Sequence, residues 1–352
     1  MKSFLYQALP MRVVFGAGAL AQLPREVEAL GARRALVLST PEPEASARRV
    51  AALLGERAAG VFPQAVMHVP IETARAARAE ALRVGADCAI AVGGGSTTGL
   101  GKAIALESAL PIVAVPTTYA GSEMTPIYGL TEAGVKKTGR DPKVLPRSVI
   151  YDPELTRTLP WRLTVTSGMN AIAHAAEGLY AHDGSPIIAL MAEEGIRATA
   201  AAMPRLGADP LDLEARGEAL YGAWLCGAVL GAVAMGLHHK LCHTLGGTFN
   251  LPHAEVHGVV LPHALAYNAP GAPDAMSRVA RALGAPSAAR GAYDLAQRHG
   301  APVSLKAIGM PVDGLDRAAD LAVQNAYPNP RPLERAAIRD LLQRAYDGAR
   351  PD

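Results

Sequence analysis

From Arg12 to about residue 153 the chain alternates short apolar runs with longer alanine-rich stretches whose apolar positions recur at helical spacing. The short runs, Arg12–Phe15, Ala35–Ser39, Cys88–Val92 and Ile112–Val115, have the length and composition of buried strands. The stretches between them, notably Glu42–Leu54 and Thr73–Val84, read as helices. Strands alternating with helices predict βαβ units, and so an α/β domain built on a mostly parallel, Rossmann-like sheet. Beyond Tyr151-Asp152-Pro153 the strand-like runs stop, and Ala/Leu-rich helical segments carry the chain to its end. The pattern predicts an α/β domain over 1–153 and an all-α domain over 154–352. A length of 352 residues independently favours two cores over one.

One run complicates that division. Ala219–Leu237 carries no charge and is long enough to cross a bilayer. It is mostly Ala, Gly and Val, lacks basic flanks, and leads straight into a histidine-rich stretch, so a buried central helix is the better expectation. Composition narrows the function further. The net charge of +2, with no Lys/Arg run, excludes nucleic acid as a natural partner. Three cysteines, odd in number, far apart and without a CxxC, suit buried thiols in a reducing cytoplasm. The N-terminal MKSFLYQALPMRVVFG has no uninterrupted apolar core, so neither a secretion signal nor a membrane partner is expected.

Two glycine-rich turns are candidate phosphate sites. Gly16-Ala17-Gly18-Ala19-Leu20-Ala21 matches the G-x-G-x-x-A fingerprint, but no acidic residue follows about 20 positions on, so it reads mainly as a strand-to-helix turn. Gly93-Gly94-Gly95-Ser96 is the stronger signal. It follows the Cys88–Val92 strand and opens a helix over Thr97–Leu106, so bare backbone N–H groups and the positive helix end would meet an anion such as a pyrophosphate. Ser96 six positions before Lys102, and Ala103 after it, exclude a Walker A loop. The loop Pro116–Ser122, with Thr117, Thr118 and Ser122, follows the next strand and so lies at the same carboxyl edge, where open α/β sheets bind ligands.

The second half concentrates imidazoles. Met235–His257 holds five of the ten histidines. A helix reaching about Leu245 puts His239 and His243 one turn apart on one face, with His238 pointing elsewhere. Gly246-Gly247 is expected to end that helix, and Pro252 to open another in which His253 and His257 share a face. Upstream, Asn170 and His174 also have helical i,i+4 spacing. Several imidazoles in one helical domain point to a site, because burying them together is costly without a charge, metal or substrate to meet them.

Six segments, GGGSTTGLGKAIAL, IVAVPTTYAGSEMTPIYGLTE, TGRDPKVLPRSVIYDPELT, SGMNAIAHAAEGLYA, GLHHKLCHTLGGTFNLPHAEVHGVVLPH and the NPRP around Pro330, together resemble the iron-containing alcohol dehydrogenase superfamily. Within it they are similar to the branch that reduces maleylacetate, with which the loop PTTYAGSEMTP shares a shorter form than the PTTAGTGSE type of the alcohol dehydrogenases. The similarity runs from Val13 to about Leu342. It implies a dehydroquinate synthase-like fold, an N-terminal nucleotide-binding α/β domain followed by a helical substrate domain, and a homodimer.

The resemblance also implies roles. Metal-dependent members hold their ion with one Asp and three His, and the matching positions here are Asn170, His174, His239 and His253. A neutral amide in place of the only anionic ligand argues against a catalytic metal. Thr40 stands where the family often carries an Asp that repels a 2′-phosphate, so NADPH is expected alongside NADH. Lys137 matches a lysine near the nucleotide. The substrate is a keto diacid whose double bond is conjugated to a ketone, and hydride addition leaves an enolate that needs a donor. His243 is nominated as principal acid, with His174, His239 and His253 around the substrate, and with Asn170, Lys240 and Arg331 as candidate substrate contacts. A metal-dependent alcohol dehydrogenase that tolerates Asn170, and a dinucleotide-binding sensor without turnover, remain the alternatives.

Overall fold

The structure is a computed structural model that describes residues 3–42, 44–132 and 135–352; Pro43, inside the Glu42–Leu54 expectation, and Met1-Lys2 of the N-terminal reading lie outside the described residues. The chain divides into two compact units, Leu9–Leu159 and Pro160–Asp352, the latter together with the start of the chain up to Ala8. That division falls a few residues past the break in the strand pattern.

The first unit contains β1 (Arg12–Phe15), α1 (Leu23–Ala29), β2 (Ala35–Leu38), α2 (Glu44–Leu54), β3 (Ala58–Phe62), α3 (Ile71–Arg83), β4 (Cys88–Gly93), α4 (Gly95–Ser108), β5 (Ile112–Pro116), β6 (Ile127–Glu132), β7 (Val135–Arg140) and β8 (Ser148–Tyr151). Six strands form one parallel sheet in the order β1-β8-β5-β4-β2-β3, and β6 and β7 pair antiparallel as a separate hairpin. Alternation along each strand splits the core into two layers. Ala35 and Val37 of β2 face Leu23, Val27 and Val50, while Leu36 and Leu38 face Ala74, Ala77, Leu100 and Ile104. Helices therefore cover both faces of the sheet, as a parallel sheet requires.

Four strands were legible as apolar runs; β3, β6, β7 and β8 were not. β3 reads Ala-Ala-Gly-Val-Phe, which has little strand preference of its own, and pairing with β2 makes it a strand.

The second unit is helical: α5 (Trp161–Gly178), α6 (Pro186–Ala208), α7 (Leu213–Ala232), α8 (Leu237–Phe249), α9 (His253–Asn268), α10 (Pro273–Ala282), α11 (Ala288–Arg298), α12 (Gly314–Ala322) and α13 (Arg335–Asp347). The charge-free run is broken. α7 ends at Ala232, α8 starts at Leu237, and the two are bent by 96°, so no single helix among the described residues is long and apolar enough to cross a membrane. Gly195 of α6 and Gly222 of α7 allow the close approach expected of such a buried helix: a β-carbon on Gly222 would lie 2.7 Å from the Thr199 backbone nitrogen.

The expectation that Gly246-Gly247 ends the histidine helix is corrected. α8 continues through both glycines to Phe249, and Asn250, with φ +53°, takes the left-handed position that stops it. Two interior glycines cost roughly 1–2 kcal/mol together. Leu245, Phe249 and Leu251 pack into the core shared with α9, α12 and α13, and that burial outweighs the cost.

Candidate active site

In the α/β unit, the β2-to-β3 connection leaves in one direction across the sheet and the β4-to-β5 connection in the other. The carboxyl ends of β2 and β4 therefore flank the point where strand order reverses, the usual ligand crevice of such sheets. Gly93 closes β4 at φ +146°, where a side chain would be strained and its β-carbon would run into Thr97 Oγ1. At Gly94 a β-carbon would come within 3.0 Å of Thr118 Cγ2. Gly94 caps α4 without a side-chain hydrogen bond, and Thr97 Oγ1 is buried with no partner. A helix start stripped of side chains, uncapped, and holding an orphan hydroxyl fits the phosphates of a dinucleotide. The helix begins two residues before the expected Thr97.

The other G-x-G turn is satisfied internally. Asp152 accepts from Gly18 N at 3.1 Å and Leu20 N at 3.0 Å, so those donors are spent on the chain's own carboxylate. Among the remaining nucleotide candidates, the Thr40 hydroxyl, just past β2, donates to the Glu42 carbonyl at 2.6 Å. Lys137 pairs with Glu132 at 2.9 Å within the hairpin. Thr117 N donates to the Gly93 carbonyl at 3.0 Å, joining the two loops. Ser122 is held from below by Lys102, whose role the sequence reading missed. The Lys102 ammonium, fully buried in α4, donates to the carbonyls of Ser122 (2.7 Å), Thr125 (2.8 Å) and Ile127 (2.7 Å) and to Thr125 Oγ1 (2.9 Å).

In the helical unit, α5 supplies Asn170, His174 and Glu177, α8 supplies His238, His239 and His243, and α9 supplies His253 and His257. The helical spacings hold, and the three helices bring six imidazoles into one chain of contacts. His174 Nδ1 and His239 Nε2 are 2.7 Å apart, and His238 Nε2 and His257 Nδ1 are 3.0 Å apart. The His257 ring centre lies 5.0 Å from that of His239 and 4.4 Å from that of His253. His243 stacks on His253 at 6.4 Å. His238 does point away from His239, as expected, yet rejoins the cluster through His257.

Burial is graded. His174, His238, His239 and His257 are buried, His253 is half-buried and His243 is exposed. Loss of hydration, reinforced by neighbouring rings, holds His238 and His257 well below the ordinary imidazole pKa, so both stay neutral.

Behind the cluster stands Glu177, completely buried, which the sequence reading also missed. Its carboxylate accepts from His239 Nδ1 at 2.6 Å and from the backbone nitrogens of Gly236, His238 and His239. It caps α8 and orients the His239 ring at once. The available signal was the single acidic residue of the helix, three positions after His174, whose one other charged residue is Arg162 in the first turn.

The donor set does not reproduce a charged four-ligand metal cage. Asn170 is a neutral amide whose buried Oδ1 has no partner. His174 and His239 direct a nitrogen at each other, and the three imidazoles whose nitrogens converge within 4.8 Å are His174, His239 and His257 rather than a set including His253. The Glu177 carboxylate is engaged on the far side of His239, at Nδ1.

The structure does not bring Arg331 to the histidines. Its guanidinium sits 4.3 Å over the Tyr267 ring and donates to the Tyr267 carbonyl, at the opposite end of α9 from His253 and His257. Lys240 lies with its ammonium 5.8 Å from the centre of the Tyr327 ring. The NPRP segment braces helices: Asn329 accepts from Leu237 N and exchanges hydrogen bonds with Asn268.

Residues 10–153 match the family model for iron-containing alcohol dehydrogenase, and residues 164–346 match the Fe-containing alcohol dehydrogenase family, C-terminal. The chain is 72% identical to a maleylacetate reductase of Burkholderia cepacia over 351 residues, covering 100% of both chains. It is 58% identical to a maleylacetate reductase of Sphingobium indicum, covering 99% of each. The solved maleylacetate reductase of Agrobacterium tumefaciens superposes with a TM-score of 0.95 at 55% identity, over 100% of both chains. With its parallel-sheet unit followed by a helical one, the fold is dehydroquinate synthase-like, and the chain belongs to the maleylacetate reductase branch of the iron-containing alcohol dehydrogenase family.

Proposed function

We propose that this oxidoreductase reduces the conjugated double bond of maleylacetate to give 3-oxoadipate, a step in breakdown of resorcinol-type and chlorinated aromatics, using NADH or NADPH and imidazoles in place of a catalytic metal. The observation that carries the reading is the graded histidine cluster: the Glu177 side chain anchors its buried end, neutral Asn170 is an amide where an anionic ligand would stand, and exposed His243 is its outer end. Bound nicotinamide supplies hydride from C4 to the double bond. The bare Gly93–Ser96 turn and Thr97 hold the phosphates. The histidines then stabilise the enolate oxygen by hydrogen bonds, and His243 delivers the proton that completes the reduction.

The test follows NAD(P)H absorbance with maleylacetate beside simple aldehydes and ketones. Oxidation confined to the keto diacid is expected, and equal or faster turnover of simple alcohol-dehydrogenase substrates would overturn the assignment. Thr40 offers a hydroxyl where a carboxylate would repel a 2′-phosphate, so NADPH should serve as well as NADH; its complete failure removes that part. For the metal, protein purified without chelators is expected to contain no stoichiometric ion and to keep its rate in EDTA. A one-to-one metal whose removal abolishes activity would instead establish a metal-dependent reductase.

A further inference from the structure

Beyond the histidine cluster, α9 presents His263, Ala266 and Tyr267 to a cavity that α13 lines from the other side with Ala337, Asp340, Leu341 and Arg344. Each set recurs at helical spacing, so each is one face of its helix. Arg331 and Pro351 complete the walls, and the enclosed space of about 170 Å³ lies wholly within the helical unit. The arginine that motif matching gave to the substrate therefore lines a different cavity. At roughly 30 Å³ for each water in the liquid, the space holds a ligand of a few non-hydrogen atoms and is too small for a nucleotide.

The lining is apolar below and charged above. Tyr267, Leu341 and Pro351 are buried, with half-buried Ala266 and Ala337 beside them, while Arg331 is half-buried and Arg344 and Asp340 are exposed. Arg331 lies 4.3 Å over the Tyr267 ring and spends an N–H on the Tyr267 carbonyl, which fixes its guanidinium plane and leaves its other donors for a ligand. Two arginines against one aspartate leave one positive charge. His263, 3% exposed, adds a polar group with no ionic partner: its Nε2 is buried without a hydrogen bond. Burial, and behind it the charge of Arg344, pushes the imidazole from 6.5 down to about 4, so the ring is neutral and can offer an N–H to an anion.

We propose that this cavity is a second, non-catalytic binding site for a short aliphatic monocarboxylate, with the carboxylate between Arg331 and Arg344 and the hydrocarbon chain on the apolar floor. Guanidinium forks match the planar carboxylate. Inorganic phosphate would meet the same arginines but leave the floor of Leu341 and Pro351 uncovered. A dicarboxylate would set its second charge against that floor or against Asp340.

The site is independent of the reduction proposed above, and so is its test. Butyrate is titrated at neutral pH into protein labelled with nitrogen-15 histidine, the His263 signal being identified by its loss in His263→Gln. Butyrate should move that signal saturably, whereas sodium chloride at the same ionic strength should not. In Arg344→Gln the midpoint should rise roughly tenfold or more, the loss expected for one charge-assisted hydrogen bond. No saturable shift, a shift that sodium chloride reproduces, or an unchanged midpoint in Arg344→Gln overturns the site. Inorganic phosphate acting at lower concentration than butyrate overturns the monocarboxylate assignment. Should His263→Gln not fold, wild type and Arg344→Gln compared over all histidine signals still decide, because Arg344 is exposed and its replacement leaves the core intact.

Discussion

Replacing His243 with alanine lowers the kcat for maleylacetate roughly 10²–10⁴-fold, the usual range for loss of one positioned general acid. The expectation comes from the gradient of burial along the cluster. His238 and His257 are neutral at all ordinary pH because burial disfavours their charged forms, so neither can be the proton source. His174 and His239 are occupied with each other and with Glu177. His243 is the exposed ring, stacked on half-buried His253 and 6.2 Å from His239, and can be recharged from solvent after each turnover. Because the ring is exposed, the variant should unfold at the wild-type denaturant concentration, so the loss reads as chemistry rather than stability. Steady-state kinetics with both nicotinamide forms check it. A near-normal kcat ends the role and moves the acid to His253.

The second large effect is on stability. Lys102→Met preserves length and apolar stem but strips the buried Thr125 carbonyl and the part-buried carbonyls of Ser122 and Ile127 of their shared donor. Each orphaned group costs about 1–3 kcal/mol, so the variant should lose roughly 3 kcal/mol or more, read as a lower urea midpoint. The loop that begins at Thr117 would lose its post, and the KM for NADH should rise with it.

Lys102 also gives the loss a pH signature. Burial pushes its amine from 10.5 down to about 7, against the opposing pull of Glu123. Between those values the unfolded chain binds a proton that the folded one does not, so stability rises with pH across the window. Below it both states are protonated and the burial penalty is at its largest. The gap between wild type and Lys102→Met should therefore widen from pH 7 towards 10; a gap that narrows would mean the buried amine is not depressed.

What could be read from the chain followed local rules. β4 and β5 are compact apolar runs, and the Gly93–Ser96 turn is legible because strand, glycines and helix are consecutive. Histidine spacings of four on α8 and α9 were equally legible, since i,i+4 neighbours share a helix face whatever surrounds them. β3 and the β6–β7 hairpin were not, because alanine, glycine and mixed polar residues acquire strand geometry only from a partner. The run through Gly246-Gly247 escaped notice for the same reason: the local cost is visible in the residues and the compensating burial is not.

The sequence by itself determined the α/β-then-helical division of the chain and four of its strands, the bare glycine turn, the replacement of an anionic position by Asn170 and the supply of imidazoles. Only the tertiary structure decided what each nitrogen faces. Glu177 is 62 residues from His239, and Lys102 is 25 from Ile127. Hydrogen bonds act over about 3 Å, so the partners that set a tautomer or hold a buried ammonium are chosen by which helices and loops pack together. For Met235–His257 that choice joins its five rings and His174 into one cluster, with a carboxylate behind it that no spacing rule could assign.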